Sequence, residues 1–290
     1  DKFIKIGFIS SFFCNHVISK LFKNWIIKLD KKKFKTFAYH VGSSSDHITN
    51  SIRENSSTFF HQTNIDDVIN QISSDKLDIL IFLDIGMEPK MQIIGSLRLA
   101  PVQCCAYGVP VTSGFESIDY FLTAESMEID QASKHYVEKL IKIPDCGVDY
   151  DKPEEITLVS TNYKNESDKT IFLNLQSNFK LLPQHDHIYF DIIKQNPKVN
   201  FWFISTKNKF VAQKFKSRIS LICKENDLIL DDYFNFFPQT NYQNYLQLIN
   251  KADIILDSMD WSGLNTSIDA LNLNKPVITL PSNLMRGRHT

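Results

Sequence analysis

The apolar run Ile254-Ile255-Leu256 stops at Asp257 and gives way to a polar knot, Ser262-Gly263-Leu264-Asn265-Thr266-Ser267, before Ile268, Ala270 and Leu271 resume an apolar pattern. Small polar residues at the start of a helix can do one of two things. Their side chains cap it, or the backbone N–H groups from Gly263 through Thr266, backed by the helix dipole, cradle an anion. Asp269, expected within the first turn, could accept a hydrogen bond from a ribose hydroxyl. Spacing alone leaves cap and cradle both open.

Three other stretches have similar potential. In "TIFLNLQSNFKLLPQ", Lys180 falls just past a strand end, beyond Gln176. An ammonium group there meets a phosphate or simply sits in water. In "SSFFCNHVISK", Asn15 and His16 open the first helix, where a histidine suits either proton transfer near neutral pH or packing of the helix start. "GVPVTSG" places Pro110, Thr112 and Ser113 between Gly108 and Gly114. It reads as a sugar- or phosphate-facing loop or as an ordinary turn. The triplet His185-Asp186-His187 carries metal-ligating types, but residues two apart do not share a helix face and no third ligand is evident. Neither Asp231-Asp232 nor Asp257 with Asp260 has a metal-holding spacing. The chain also lacks a G-x-G-x-x-G fingerprint and a P-loop. No metal or other cofactor is expected.

Composition narrows the partners. The 290 residues are 43% hydrophobic with a net charge of -1, which argues against nucleic acid as the main partner. No apolar run approaches the ~20 residues of a membrane span, and the first residues read as a strand rather than a signal peptide. Cys14, Cys104, Cys105, Cys146 and Cys223 are odd in number and lack C-x-x-C spacing, so reduced thiols and a cytoplasmic location are expected. The chain starts without Met and reads as a segment of a longer protein.

These loops need elements to hold them. Short runs rich in Ile, Val and Phe predict strands over Phe3–Ser10, Lys35–Val41, Asp78–Leu83, Val102–Ala106, Ile118–Thr123, Thr170–Leu175, Val199–Ser205, Leu228–Leu230, Ile254–Asp257 and Val277–Leu280. Amphipathic segments predict helices over Val17–Leu29, Ile65–Ile72, His187–Lys194, Lys209–Glu225 and Tyr242–Asn250. Continuous rather than alternating hydrophobicity predicts strands covered on both faces, hence an α/β fold with parallel sheets. The polar interval Asp149–Ser167 divides residues 1–160 from 161–290, giving two Rossmann-like doubly wound domains facing a cleft. No internal repeat is evident. Ligands in such sheets bind at the carboxyl ends of strands.

Read in order, "FISSFFCNHVISKLF", "LRLAPVQCCAYGVPVTSGFESIDYFLT", "HYVEKLIKIPDCG", "LQSNFKLLP", "ADIILDSMDWSGLNTSIDAL" and "LPSNLMRGRHT" resemble the catalytic region of the O-linked N-acetylglucosamine transferase family, in particular bacterial members with tetratricopeptide repeats upstream. The resemblance runs from Lys2 to Thr290. It implies a GT-B glycosyltransferase: an acceptor-side first domain and a second domain that binds a UDP-sugar, with further helices expected beyond Thr290. Inverting, metal-independent transfer of a sugar, expected to be N-acetylglucosamine, to Ser or Thr hydroxyls of a protein follows. His16 and Lys180 would be catalytic, Lys180 at the diphosphate. Gln176, Gly263, Asn265, Thr266 and Asp269 would hold the donor, with Tyr245 near the base. Pro110, Thr112 and Ser113 would lie beside the sugar. Val109, Leu264 and Asp78 depart from the family pattern. Another donor sugar, a small-molecule or asparagine acceptor, and a non-catalytic nucleotide-binding module stay open. Neither nucleic acid nor membrane is an expected partner.

Overall fold

A computed structural model describes residues 3–151 and 168–290. The chain divides into two compact units, Asp1–Asp151 and Lys152–Thr290. The boundary expected between residues 160 and 161 lies outside the described residues.

The first unit carries β1 (Ile4–Ser10), α1 (Val17–Ile27), β2 (Phe34–His40), α2 (His47–Asn55), β3 (Thr58–His61), α3 (Ile65–Asp75), β4 (Ile79–Phe82), α4 (Pro89–Gly95), β5 (Val102–Ala106), β6 (Tyr120–Ala124) and β7 (Lys139–Ile143). All seven strands are parallel, in the order β3-β2-β1-β4-β5-β6-β7. The order reverses between β1 and β4, so the loops that follow these two strands diverge and leave room for a ligand.

The second unit repeats that plan with β8 (Thr170–Asn174), α5 (His187–Gln195), β9 (Val199–Ile204), α6 (Lys209–Glu225), α7 (Leu230–Tyr233), β10 (Phe234–Phe237), α8 (Tyr242–Lys251), β11 (Ile254–Leu256), α9 (Asn265–Asn272) and β12 (Val277–Ile278). Its parallel order is β10-β9-β8-β11-β12, with the reversal between β8 and β11. In β9, "VNFWFI", successive side chains enter opposite cores. Phe201 and Phe203 join Tyr189, Phe190, Phe215 and Phe234 on one face, while Trp202 joins Leu246, Ile249 and Ala270 on the other. Burial on both faces is why this strand is apolar except at Asn200.

Most expected strands form within a residue or two of their predicted limits. Leu228–Leu230 does not: Leu230 begins α7, and the strand follows at β10. Strands β3 and β7, absent from the sequence-based expectation, also form. These three lie at sheet edges, where one side of the strand has no neighbour and the apolar signal is weak. No residue of β7, "KLIKI", is buried.

Phe203 is 1% exposed and packs against Tyr189, Phe215 and Phe236 at ring-centroid distances of 5.4, 4.9 and 5.6 Å. Phe203→Ala is expected to cost about 3–5 kcal/mol, read as a lower urea midpoint at unchanged slope.

Candidate functional site

In the second unit, the loops after β8 and β11 lie side by side at the order reversal, and one carboxylate organises them. Asp257, 8% exposed, follows β11 directly. Its Oδ1 accepts hydrogen bonds from the backbone N–H groups of Ser258 and Gly263, both at 2.9 Å. Its Oδ2 accepts from the hydroxyls of Thr279 (3.0 Å) and Thr290 (2.7 Å). A buried carboxylate needs such partners, and gathering them folds residues 257–263 into a tight loop ending at α9.

No side chain caps α9. Its N-cap is Leu264, which offers no hydrogen-bonding group. Side chains of His16, Asp46, Asn64, Asn208 and Asn241 cap α1, α2, α3, α6 and α8, while α4, α5 and α7 share with α9 the lack of a side-chain cap. The capping alternative for Asn265, Thr266 and Ser267 therefore fails. They sit inside the first turn, with their N–H groups at the positive end of the helix dipole.

Lys180 is tied to this helix start. It ends a single 3-10 turn, Asn178–Lys180, after β8. Its Nζ donates to Gln176 Oε1 at 2.9 Å, and Gln176 Nε2 donates to Thr266 Oγ1 at 2.7 Å. Nζ also lies 5.5 Å from the centre of the Trp261 ring. Burial pushes the Lys180 ammonium down to about 8, with the negative charge of Asp257 opposing the shift. Gly263 leaves room for this junction. A Cβ there would run into Gln176 Nε2, Thr266 Oγ1 and Ser267 Oγ. Gln176, Lys180, Gly263, Asn265 and Thr266 thus come together.

Asp269 is the fifth residue of α9, and the first turn contains no acidic residue, which corrects the expected position. Its Oδ1 accepts from Tyr242 Oη at 2.9 Å. Tyr242 stacks on Tyr245 with ring centres 5.9 Å apart. Tyr242 was not singled out in the sequence; its place at the start of α8, one turn before Tyr245, was the available signal.

Sequence reading also missed the segment Ser282–Thr290 as part of this loop. Ser262 N donates to Arg286 O (2.8 Å), and His289 N donates to Ser262 Oγ (2.8 Å). Arg286 lies against the Trp261 ring, 5.6 Å from its centre. The His185-Asp186-His187 triplet is engaged with other partners. Asp186 pairs with Arg218 (2.6 Å), His185 Nε2 meets Asp260 Oδ2 (2.9 Å), and His187 Nδ1 donates to the Gln184 carbonyl (2.9 Å). Among the described residues no group of three or more His, Cys, Asp or Glu is arranged to hold a metal ion.

In the first unit, His16 is the N-cap of α1. Its Nδ1 accepts from Ile18 N at 3.3 Å, its ring stacks on Phe12 at 4.0 Å, and burial lowers its pKa. An Nδ1 that accepts a backbone N–H leaves the neutral ring with its proton on Nε2, a donor. Pro110, Thr112 and Ser113 lie in the loop after β5. Gly108 passes so close to the Leu83 carbonyl and the Ile18 side chain that no Cβ fits. The hydroxyls of Thr112 and Ser113 both donate to Glu138, Thr112 at 2.7 Å to Oε2, and Ser113 N adds a bond of 2.8 Å to Oε1. Thr112 Oγ1 also accepts from Val137 N and Gly114 N, each at 3.2 Å. These hydroxyls hold the loop in place, anchored by Glu138, which sequence reading passed over. Asp84, also passed over, follows β4 beside the His16 loop. It accepts from Ser11 N at 3.1 Å, and burial pushes its carboxyl up to about 7 against bonds from Ser11 and Ser10. Asp78 lies at the amino end of β4, where its Oδ2 accepts from Lys5 N at 2.8 Å; its role is to pin β1.

Two outcomes follow. Gly263→Ala is expected to push Gln176 off Thr266 and cost about 1–3 kcal/mol, seen as a lower melting temperature. Asp257→Ala, which strands several buried donors, is expected to cost about 3 kcal/mol or more, with Asp257→Asn intermediate in urea unfolding.

Comparison with known proteins follows the same outline. Over 99% of the chain, 26% of residues are identical to an Arabidopsis thaliana protein named "Probable UDP-N-acetylglucosamine--peptide N-acetylglucosaminyltransferase SEC". The Arabidopsis protein of the same description named SPINDLY is 23% identical over 97% of the chain. The chain spans 30% and 31% of the length of these relatives. A mutant O-GlcNAc transferase from Thermobaculum terrenum superposes with a TM-score of 0.84 at 18% identity, over 99% of this chain and 54% of that one. That likeness shows the GT-B fold. The model of glycosyl transferase family 41 matches residues 1–151, more than half of the 290. The chain belongs to glycosyl transferase family 41.

Proposed function

We propose that this chain transfers a sugar, N-acetylglucosamine, from a UDP donor to Ser or Thr hydroxyls of a protein, with inversion and without a metal. The observation that carries this is the line Lys180–Gln176–Thr266 at the uncapped start of α9. As the glycosidic bond breaks, negative charge collects on the leaving β-phosphate. A fixed ammonium and free helix N–H groups meet that charge without reorganising. Asp269 and Tyr242 offer polar groups for the ribose, and Tyr245 an aromatic face for the base. The donor and acceptor classes are those in the names of the Arabidopsis relatives. Upstream repeats belong to the same proposal. So does a cytoplasmic location, supported by five unpaired thiols; no described helix is long and apolar enough to cross a membrane.

The acceptor hydroxyl attacks the anomeric carbon from the face opposite the diphosphate, the bond to the leaving UDP breaks as the new C–O bond forms, and the hydroxyl proton passes to solvent water. His16 fits the orienting role. With Nδ1 engaged by Ile18 N–H, its Nε2–H donates to the acceptor rather than taking a proton. Removing His16 is therefore expected to lower kcat/KM while leaving the acidic limb of the pH–rate profile in place. Loss of that limb in His16→Ala would make His16 the base.

Incubating the full-length protein with labelled nucleotide sugars and an acceptor peptide tests the function directly. Product from UDP-N-acetylglucosamine is expected, and Lys180→Ala is expected to reduce it by about 10²–10³-fold with the fold intact. Product from a different donor would reassign the sugar. Nucleotide binding with no turnover would make the protein a binding module. The charge of Lys180 also sets a pH dependence. Below about 8 the ammonium is present; above it the proton leaves and the attraction for diphosphate goes with it. Affinity for UDP-N-acetylglucosamine should be flat below pH 8 and decline above, and that decline should vanish in Lys180→Ala.

A further inference from the structure

His289 is the residue of the second unit that the reading above leaves without a task. Its backbone is fixed. His289 N donates to Ser262 Oγ, and the next residue, Thr290, places its hydroxyl 2.7 Å from Asp257 Oδ2 and 2.9 Å from the Gly263 carbonyl. Ser267 Oγ, in the first turn of α9, lies 2.7 Å from the same hydroxyl. The histidine is thus sewn to the loop that carries the helix start. Its ring is not satisfied in return: Nε2 is buried and has no hydrogen-bond partner among the described residues. A buried, unpartnered ring nitrogen costs free energy and calls for a reason.

The surroundings supply one. Burial, and after it the positive charge of nearby Lys180, push the His289 ring down to about 4. The ring is therefore neutral at physiological pH and keeps one N–H to donate. Arg286 and Arg288 belong to the same segment, and their Nε atoms are likewise buried without partners. An ammonium, a helix N-terminus with no cap and an unpartnered ring nitrogen share a need for an anion that accepts several hydrogen bonds at once.

We propose that His289 is a further donor-contact residue, its Nε2 donating to the diphosphate held between Lys180 and the start of α9. This rests on the donor-site reading above and adds a residue and a segment to it. The segment is bonded to the loop that leads into α9, so the phosphate would be gripped by groups from three separate stretches of chain: the turn after β8, the start of α9 and the residues after β12.

Equilibrium binding of UDP and of uridine to the full-length protein, alongside His289→Ala and His289→Gln, tests it. A hydrogen bond to a charged group corresponds to roughly 10–100-fold in affinity. His289→Ala is expected to bind UDP that much more weakly with uridine binding unchanged, and His289→Gln, which keeps an N–H at similar reach, to recover part of the loss. Unchanged UDP affinity in both variants would overturn the proposal. So would equal losses for UDP and uridine, which would give His289 a structural role only. A parent protein that binds neither ligand would instead overturn the donor-site reading itself.

Discussion

Four donors converge on the carboxylate of Asp257, and the geometry of the second unit's candidate site depends on that convergence. A carboxylate at the carboxyl end of a buried strand cannot stay charged without compensation. Here compensation comes from the loop it begins, from Thr279 after β12 and from Thr290. Each bond is modest, two from the loop itself and two from Thr279 and Thr290 further along the chain, but together they set where α9 starts. Gly263 then has no space for a side chain because Gln176, Thr266 and Ser267 fill it. Moving that glycine would break the contact through which Lys180 is held to the helix start.

The same device recurs at the opposite end of both sheets. Asp78 precedes β4 and exchanges hydrogen bonds with Lys5 in β1: Asp78 N donates to Lys5 O, and Lys5 N donates to Asp78 Oδ2. Asp253 precedes β11 and does the same with Ile171 in β8. The strands concerned are the pair flanking each order reversal, where a parallel sheet must hold together while its loops part. "KLDIL" and "KADII" carry this shared role, a repetition too short to register as a sequence repeat. It explains Asp78, which had stood out only as a departure from a family pattern.

Much of the architecture was legible because burial on both faces writes itself into composition. Strands β1, β5, β8 and β9 announce themselves as predominantly apolar runs, whereas β3, β7 and β10, at the edges, were not recognised. The loops that carry the candidate site were legible too, since they interrupt those runs with Gly, Asn, Thr and Lys at strand ends. Anchors were not. Glu138, Asp84 and Asp257 act through residues far away in sequence: Glu138 reaches Thr112 and Ser113, and Asp84 reaches Ser11. Nothing local marks a carboxylate whose partners arrive only when the sheet closes. His289 is hidden for the same reason, since its significance comes from Ser262 and Lys180.

Whether "SGLNTS" is a cap or a cradle turns on a single position. Asn, Thr and Ser are all competent caps, and a helix beginning one residue later would have used Asn265 to satisfy its own N–H groups. The helix begins at Asn265, because Ile268 N already bonds to the Leu264 carbonyl. That places leucine at the N-cap and the polar residues one to three steps inside it. Thr266 is then free to receive Gln176, and the first-turn N–H groups keep their capacity to bind something from outside. Leu264 removes a donor that a polar residue would have offered, but it also removes the competitor that would have filled the helix start from within. An apolar N-cap is unfavourable for helix stability alone, and under the proposed donor-binding role an anion rather than a side chain would complete this helix start.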